Sequence, residues 1–207
     1  IPKFRGIRLR NGSVSRRTDC VLFCSIKEFD QLVFEGHSTD YQTKFKLREL
    51  VEDGVGILKV GPGLTYAARE GIFALCMIEE ELAAVYGFET SHFREELDKA
   101  MLANPGKWAP YYHGTENEIA FKRKYSFSDR CRYYLPQENV KNALAKLLAN
   151  LKEHPVPLPL LSQYMPFQYT LVREGKLNNT PEDLIKARVM YTIEEYTYAS
   201  HQEELVR

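Results

Sequence analysis

The chain has 207 residues, 44% hydrophobic and 27% charged, which suits a folded globular protein with one sizeable core or two small ones. Lysine plus arginine equals aspartate plus glutamate at 28 each, so bulk charge gives no footing for a nucleic-acid partner. No run reaches the length of a membrane span, no signal-peptide core stands at the amino end, and Cys20, Cys24, Cys76 and Cys131 show neither CxxC nor ligand spacing with histidine; free, mostly buried thiols in a reducing cytoplasm are expected.

Residues 1–30 hold a basic, turn-rich stretch, "RLRNGSVSRRTD", and one candidate short strand, "CVLFCSI". The first residue is Ile rather than Met, which suggests a piece of a longer protein. From Gln31 the pattern sharpens. "QLVFEG" is a continuous apolar run, the signature of a strand covered on both faces. "KFKLRELVED" spaces Phe45, Leu47, Leu50 and Val51 as a helix would, and Gly54 after Asp53 marks its stop. "VGILKV" reads as a second buried strand. After Gly61-Pro62-Gly63 a long helix carries Leu64, Ala68, Ile72, Leu75, Ile78 and Leu82 on one stripe. Strand, helix, strand, helix predicts an α/β arrangement of consecutive parallel strands with right-handed crossovers over residues 31–87.

Beyond Gly87 no strand pattern stands out. "SHFREELDKAMLANP" predicts an amphipathic helix capped by Ser91, and "ENVKNALAKLLANL" another. "PVPLPLLSQYMP" is expected to be irregular, because its four prolines remove donors and fix φ. A final long helix follows in "TPEDLIKARVMYTIEEYTYASHQEEL", with Thr180 as N-cap, Pro181 at the first helical position and Asp183 as the capping-box acid.

Three stretches carry candidate chemistry. "EGHSTDYQT" sets Glu35, His37, Ser38, Thr39 and Asp40 after a strand, at the end where ligands of parallel sheets bind. His37 and Asp40 could serve as ligand or base, while Ser38, Thr39 and Asp40 could equally cap the next helix; the two readings are compatible. A lone histidine makes no zinc site, since zinc catalysis needs three protein ligands. In "KVGPGLTYAARE" a glycine-rich turn feeds a helix amino terminus and offers backbone N–H groups to an anion, with Lys59 and Arg69 able to add charge. A tight turn needing glycine only for backbone freedom is the alternative. The stretch lacks GK[ST], so it is no Walker loop. "KRKYSFSDRCRYYLP", residues 122–136, interleaves Lys122, Arg123, Lys124, Arg130 and Arg132 with aromatics. Such a mix can bind single strands, but with Asp129 inside it a buried arginine–carboxylate network is the favoured reading.

Together with "PLPLLSQYMPFQY" at residues 157–169, these stretches resemble the GatZ/KbaZ family, the non-catalytic Z subunits of class II D-tagatose-1,6-bisphosphate aldolase, from about Leu32 to Tyr198. The resemblance implies a (β/α)8 TIM-barrel-like fold. Residues 31–87 would supply its last two β/α units, strands seven and eight, and residues 88–207 a C-terminal helical extension, while 1–30 match poorly. Two units of eight leave open sheet edges, so the chain alone is expected to need completion by another chain. The resemblance further implies an accessory subunit that supports a catalytic, zinc-dependent Y subunit in cytoplasmic catabolism of tagatose 6-phosphate, galactitol and N-acetylgalactosamine; a homo-oligomer is the other assembly to expect. The alternative is a sugar-phosphate enzyme in its own right, a tagatose-6-phosphate kinase or zinc-dependent aldolase. In the catalytic relatives the eighth-strand loop binds phosphate and the seventh lies beside zinc. By that likeness Glu35, His37, Ser38, Asp40, Lys59, Gly61, Gly63 and Arg69 are the candidate sugar-phosphate ligands. No catalytic or metal residue is assigned, and zinc would enter only with the relatives' site.

Overall fold

Among the described residues three short strands pair in parallel in the order β1 (Arg5–Arg8), β2 (Phe34–His37), β3 (Val55–Leu58). The computed structural model describes residues 5–8 and 32–202. Strand β1 falls where the sequence carries no clear pattern, and "CVLFCSI" lies outside the described residues. Phe34 stands opposite both Arg5 and Val55; one step on, Glu35 pairs with Ile57, so Gly56 is the extra residue of a bulge.

The parallel pairing agrees with the expected α/β order, but the burial does not agree with strands covered on both faces. In β2 exposure alternates, Phe34 and Gly36 inside and Glu35 and His37 half-buried. In β3 only Val55 is buried, because β3 ends the strand order and Gly56 and Ile57 face outward. Between them runs α1 (Lys44–Glu52), started by Thr43, whose hydroxyl accepts from Lys46 N–H at 3.3 Å. It stops at Gly54, whose φ of 107° suits glycine. Leu47 and Leu50 face the core, while Phe45, expected there, is 59% exposed and edges onto Tyr198.

The chain divides into two compact units, residues 1–64 with 191–207, and residues 65–190. After α2 (Gly63–Tyr86), every regular element among the described residues is helical: α3 (Phe93–Ala103), α4 (Glu116–Tyr125), α5 (Glu138–Glu153), α6 (Leu158–Tyr164), α7 (Pro166–Arg173) and α8 (Pro181–Ala199). The core of the second unit gathers Ile72, Leu75, Ile78 and Leu82 of α2, Leu97 and Met101 of α3, and Val140, Ala143, Leu147 and Leu151 along one face of α5.

Two local expectations need correction. "PVPLPLLSQYMP" is mostly helix: Pro159 falls in the first turn of α6 and Pro166 opens α7, positions where the missing N–H has no intrahelical partner anyway. Ser91 is not the cap of α3. His92 holds that place in a left-handed conformation, while Ser91 donates to the buried Glu79 carboxylate at 2.6 Å. Thr180 does cap α8, its hydroxyl accepting from Asp183 N–H at 3.3 Å.

Leu147 is fully buried, so Leu147→Ala in the full chain is expected to lower stability by about 2–5 kcal/mol. Leu102→Ala, on an exposed position of α3, should change it by less than about 0.5 kcal/mol. Urea unfolding monitored by circular dichroism checks both.

Candidate functional site

Neighbouring parallel strands send their trailing loops to the same end of a sheet, and here the loops after β2 and β3 are tied together. Lys59 N–H donates to Gly36 C=O at 2.8 Å, and Thr39 N–H donates back to Lys59 C=O at 3.2 Å. The Thr39 hydroxyl donates to the same carbonyl at 3.1 Å. With its one hydrogen so used, it accepts from Tyr196 OH, 3.1 Å away. Thr39 is completely buried.

The next residue makes the stronger tie. The Asp40 carboxylate accepts from Gly61 N–H, 2.9 Å from both oxygens, and from Gly63 N–H at 2.7 Å. Gly63 opens α2, so the carboxylate sits where the helix amino terminus presents orphan donors and partial positive charge. A Cβ on either glycine would lie 2.8 Å from an Asp40 oxygen, so a larger residue at either place would push the carboxylate away from its present position. Ser38 and Tyr41 flank the carboxylate with left-handed φ of 59° and 64°. The N–H groups of the Gly-Pro-Gly turn are therefore engaged by the chain's own anion.

Glu35, His37 and Lys59 form the adjoining charged group. Glu35 Oε1 pairs with Lys59 Nζ and lies 3.1 Å from His37 Nε2. The lysine hydrogen bond, despite partial desolvation, and then the charges of Lys59 and His37 hold the Glu35 carboxyl below its usual range. This group does not fit zinc on its own. It offers two ligating side chains, one already neutralised by lysine, and among the described residues no three His, Cys, Asp or Glu side chains cluster to hold a metal ion. Ser38 is exposed beside it.

Arg69 belongs to the second unit and is committed there. Its Nε donates to Asp129 at 3.0 Å, with the two side chains 2% and 1% exposed. Tyr66 and Phe73 lie against the guanidinium, 4.2 and 5.1 Å from centroid to Cζ. Asp129 also accepts from the Thr65 hydroxyl at 2.6 Å and the Cys131 thiol at 3.2 Å. Burial pushes the Cys131 thiol strongly up, which keeps it protonated. Arg123 grips Asp98 with two bonds of 2.7 and 3.0 Å. The basic-aromatic stretch thus contains the expected arginine–carboxylate network.

Residues 15–201 match the family described as D-tagatose-1,6-bisphosphate aldolase subunit GatZ/KbaZ-like. The chain belongs to that family. It is also similar to the crystal structure of a probable tagatose 6 phosphate kinase from Sinorhizobium meliloti 1021, at 37% identity and a TM-score of 0.83 over 89% of this chain. The match covers 47% of that longer chain, so the present one spans about half its length.

In this GatZ/KbaZ-like chain the structure joins Glu35, His37, Asp40, Lys59, Gly61 and Gly63 in one loop pair. Sequence reasoning missed the Thr39–Tyr196 contact, a long-range bond with no local signal. It also missed the α4 capping box, which was readable as Thr115-Glu-Asn-Glu118: Glu118 N–H donates to Thr115 Oγ1 at 3.3 Å, and Thr115 N–H to Glu118 Oε2 at 2.7 Å.

Asp40→Ala should lower stability by about 1.5–3 kcal/mol, the range for a hydrogen bond to a charged group, the freed amides bonding to water instead, and accelerate hydrogen exchange at the Gly61 and Gly63 amides. An unchanged exchange rate would refute the tie. Because the Glu35 carboxyl is held low in the folded state, its contribution is present above its ordinary value of 4.5 and lost as pH falls through the lowered one. Glu35→Gln should flatten that acid limb in stability measured against pH.

Proposed function

We propose that this chain acts as an accessory, non-catalytic subunit of a class II D-tagatose-1,6-bisphosphate aldolase, supporting the activity and stability of a zinc-bearing catalytic subunit in the breakdown of tagatose 6-phosphate, galactitol and N-acetylgalactosamine. In this reading β2 and β3 are the seventh and eighth strands of a (β/α)8 barrel, and residues 88–207 a helical extension. Membership of an aldolase-subunit family supports it. The observation that carries it is Asp40: the amides that would cradle a substrate phosphate hold an internal carboxylate instead. A sugar phosphate reaching Gly61 and Gly63 would have to displace that carboxylate, with Lys59, His37 and Ser38 the remaining polar groups of the loop pair and Arg69 held by Asp129.

One observation favours a second reading, a sugar-phosphate enzyme in its own right: the similar solved structure is that of a probable tagatose 6 phosphate kinase. Here the loop pair would bind tagatose 6-phosphate and His37 would be the group to lose.

Co-expression separates the two. With the full-length protein, the catalytic subunit should show higher aldolase activity and a longer half-life on heating; equal values with and without it would sink the accessory reading. ATP-dependent turnover of tagatose 6-phosphate by the full-length protein alone, abolished by His37→Ala, would establish the second.

A further inference from the structure

The outward side of the basic-aromatic stretch carries an arrangement that the buried network does not explain. Asp129, with left-handed φ of 46°, turns the chain so that its own carboxylate points inward; in the 3-10 turn that follows, Arg130–Tyr133, Cys131 is buried, Arg130 and Arg132 are half-buried and Tyr133 is exposed. Arg130 lies flat on Tyr111, 3.5 Å from its ring centroid, and 5.9 Å from that of Tyr133. Arg132 lies 4.6 Å from the Tyr133 ring and donates to its hydroxyl at 3.0 Å. Lys107 approaches the same ring to 6.0 Å. Three cations thus surround one tyrosine, and both tyrosines are open to solvent, Tyr111 at 56% and Tyr133 at 45%.

The platform is held rigid from beneath. Buried Tyr112 accepts at its hydroxyl from the Ser128 hydroxyl at 3.1 Å and from Arg130 N–H at 3.3 Å. Buried Tyr134 donates to Asn104 C=O. Arg132 is braced by the carbonyls of Ser128 and Asp129 at 2.6 and 3.1 Å.

Its charge is not balanced. Several other cations in this unit sit on carboxylates, Arg94 on Glu80, Lys99 on Glu96, Lys146 on Glu89 and Arg188 on Glu70, while Arg173 is held singly by the ring and hydroxyl of Tyr169. Among the described residues Lys107, Arg130 and Arg132 have no carboxylate within 4.0 Å, and Arg130 Nε is shielded from solvent without a hydrogen-bond acceptor. Ring contacts stabilise each cation by about 0.5–1 kcal/mol at exposed sites but leave its charge in place. Exposed tyrosines beside half-buried arginines are also the residue types that anchor protein interfaces.

We propose that Lys107, Tyr111, Arg130, Arg132 and Tyr133 form a docking surface for an acidic stretch of a partner polypeptide. This rests on the accessory-subunit reading, which makes the catalytic aldolase subunit the partner. The neutral balance of the whole chain favours a polypeptide over a nucleic acid, whose binding draws on a broad excess of positive charge. Carboxylates would take the bidentate fork of Arg130 and the Lys107 ammonium, while Tyr111 and Tyr133 supply flat contact area.

The test is capture of the purified catalytic subunit by the full-length protein at low salt. Wild type should bind, with affinity falling as salt rises; Arg130→Glu with Arg132→Glu should weaken it at least tenfold. Lys107→Glu alone, at an exposed position whose side-chain contact among the described residues is the Tyr133 ring 6.0 Å away, should weaken it several-fold while moving the thermal midpoint little, which covers a misfolded double variant. Lys186→Glu, far along the sequence on α8, should bind as wild type. Binding by wild type that Lys107→Glu and the double variant leave unaltered overturns this surface alone. Failure of wild type to bind overturns the accessory reading beneath it. Wild-type binding of a fluorescent oligothymidylate, lost in the same variants, would overturn the polypeptide partner.

Discussion

The rim of the small sheet depends on a carboxylate held between two backbone amides. Asp40 can reach Gly61 and Gly63 only because β2 and β3 run parallel and release their chains at the same end. The tie demands unusual backbone: Ser38 and Tyr41 both adopt left-handed φ, each costing about 1–2 kcal/mol for a residue with a Cβ. Hydrogen bonds to a charged acceptor contribute about 1.5–3 kcal/mol each, so donors from two glycines offset the strain. Thr39 donates two hydrogen bonds, from its N–H and its hydroxyl, to the Lys59 carbonyl, which holds Lys59 beside Glu35. Loop shape, charge pairing and glycine usage at this rim all follow from where that one anion sits.

In the second unit another aspartate organises its surroundings, by different physics. Asp129 and Arg69 are almost wholly removed from water, where an ion pair gains little net stability over an apolar pair but fixes geometry, because either charge alone would be costly. Two donors one turn apart on α2, Thr65 and Arg69, and the nearby Cys131 thiol converge on Asp129, and Tyr66 and Phe73 cover the guanidinium. With the aspartate locked inward, the residues after it have one way to face. The same short motif thus packs the interior with Asp129 and Cys131, keeps Arg130 and Arg132 half-buried and exposes Tyr133.

Much of this was legible from spacing. The apolar stripe of α2, the helical period of α1 and the glycine stop at Gly54 are local signals, and each element formed where they pointed. The failures were also physical. Proline count argued against helix in residues 155–166, when proline position decides, and Pro159 and Pro166 occupy first turns. Apolar runs argued for fully covered strands, yet β3 has Gly56 and Ile57 outward because burial depends on neighbours the run does not specify. Parallel order was expected to send the loops after β2 and β3 to one end of the sheet, and they meet there. That Asp40 itself would take the amides was not readable, since the contact spans 21 residues and depends on the strand register.

That placement also bears on how a loop resembling a phosphate cradle behaves. If the carboxylate-bound form outweighs the open form by about a hundredfold, roughly 2.7 kcal/mol, any phosphate using the same amides binds about a hundredfold more weakly than to a preformed site. A catalyst working on a sugar phosphate would carry that handicap at every turnover. A subunit whose task is to brace another chain carries none, because the internal anion keeps its loops ordered with no ligand present. The position of Asp40 is therefore easier to reconcile with a supporting role than with turnover at this rim.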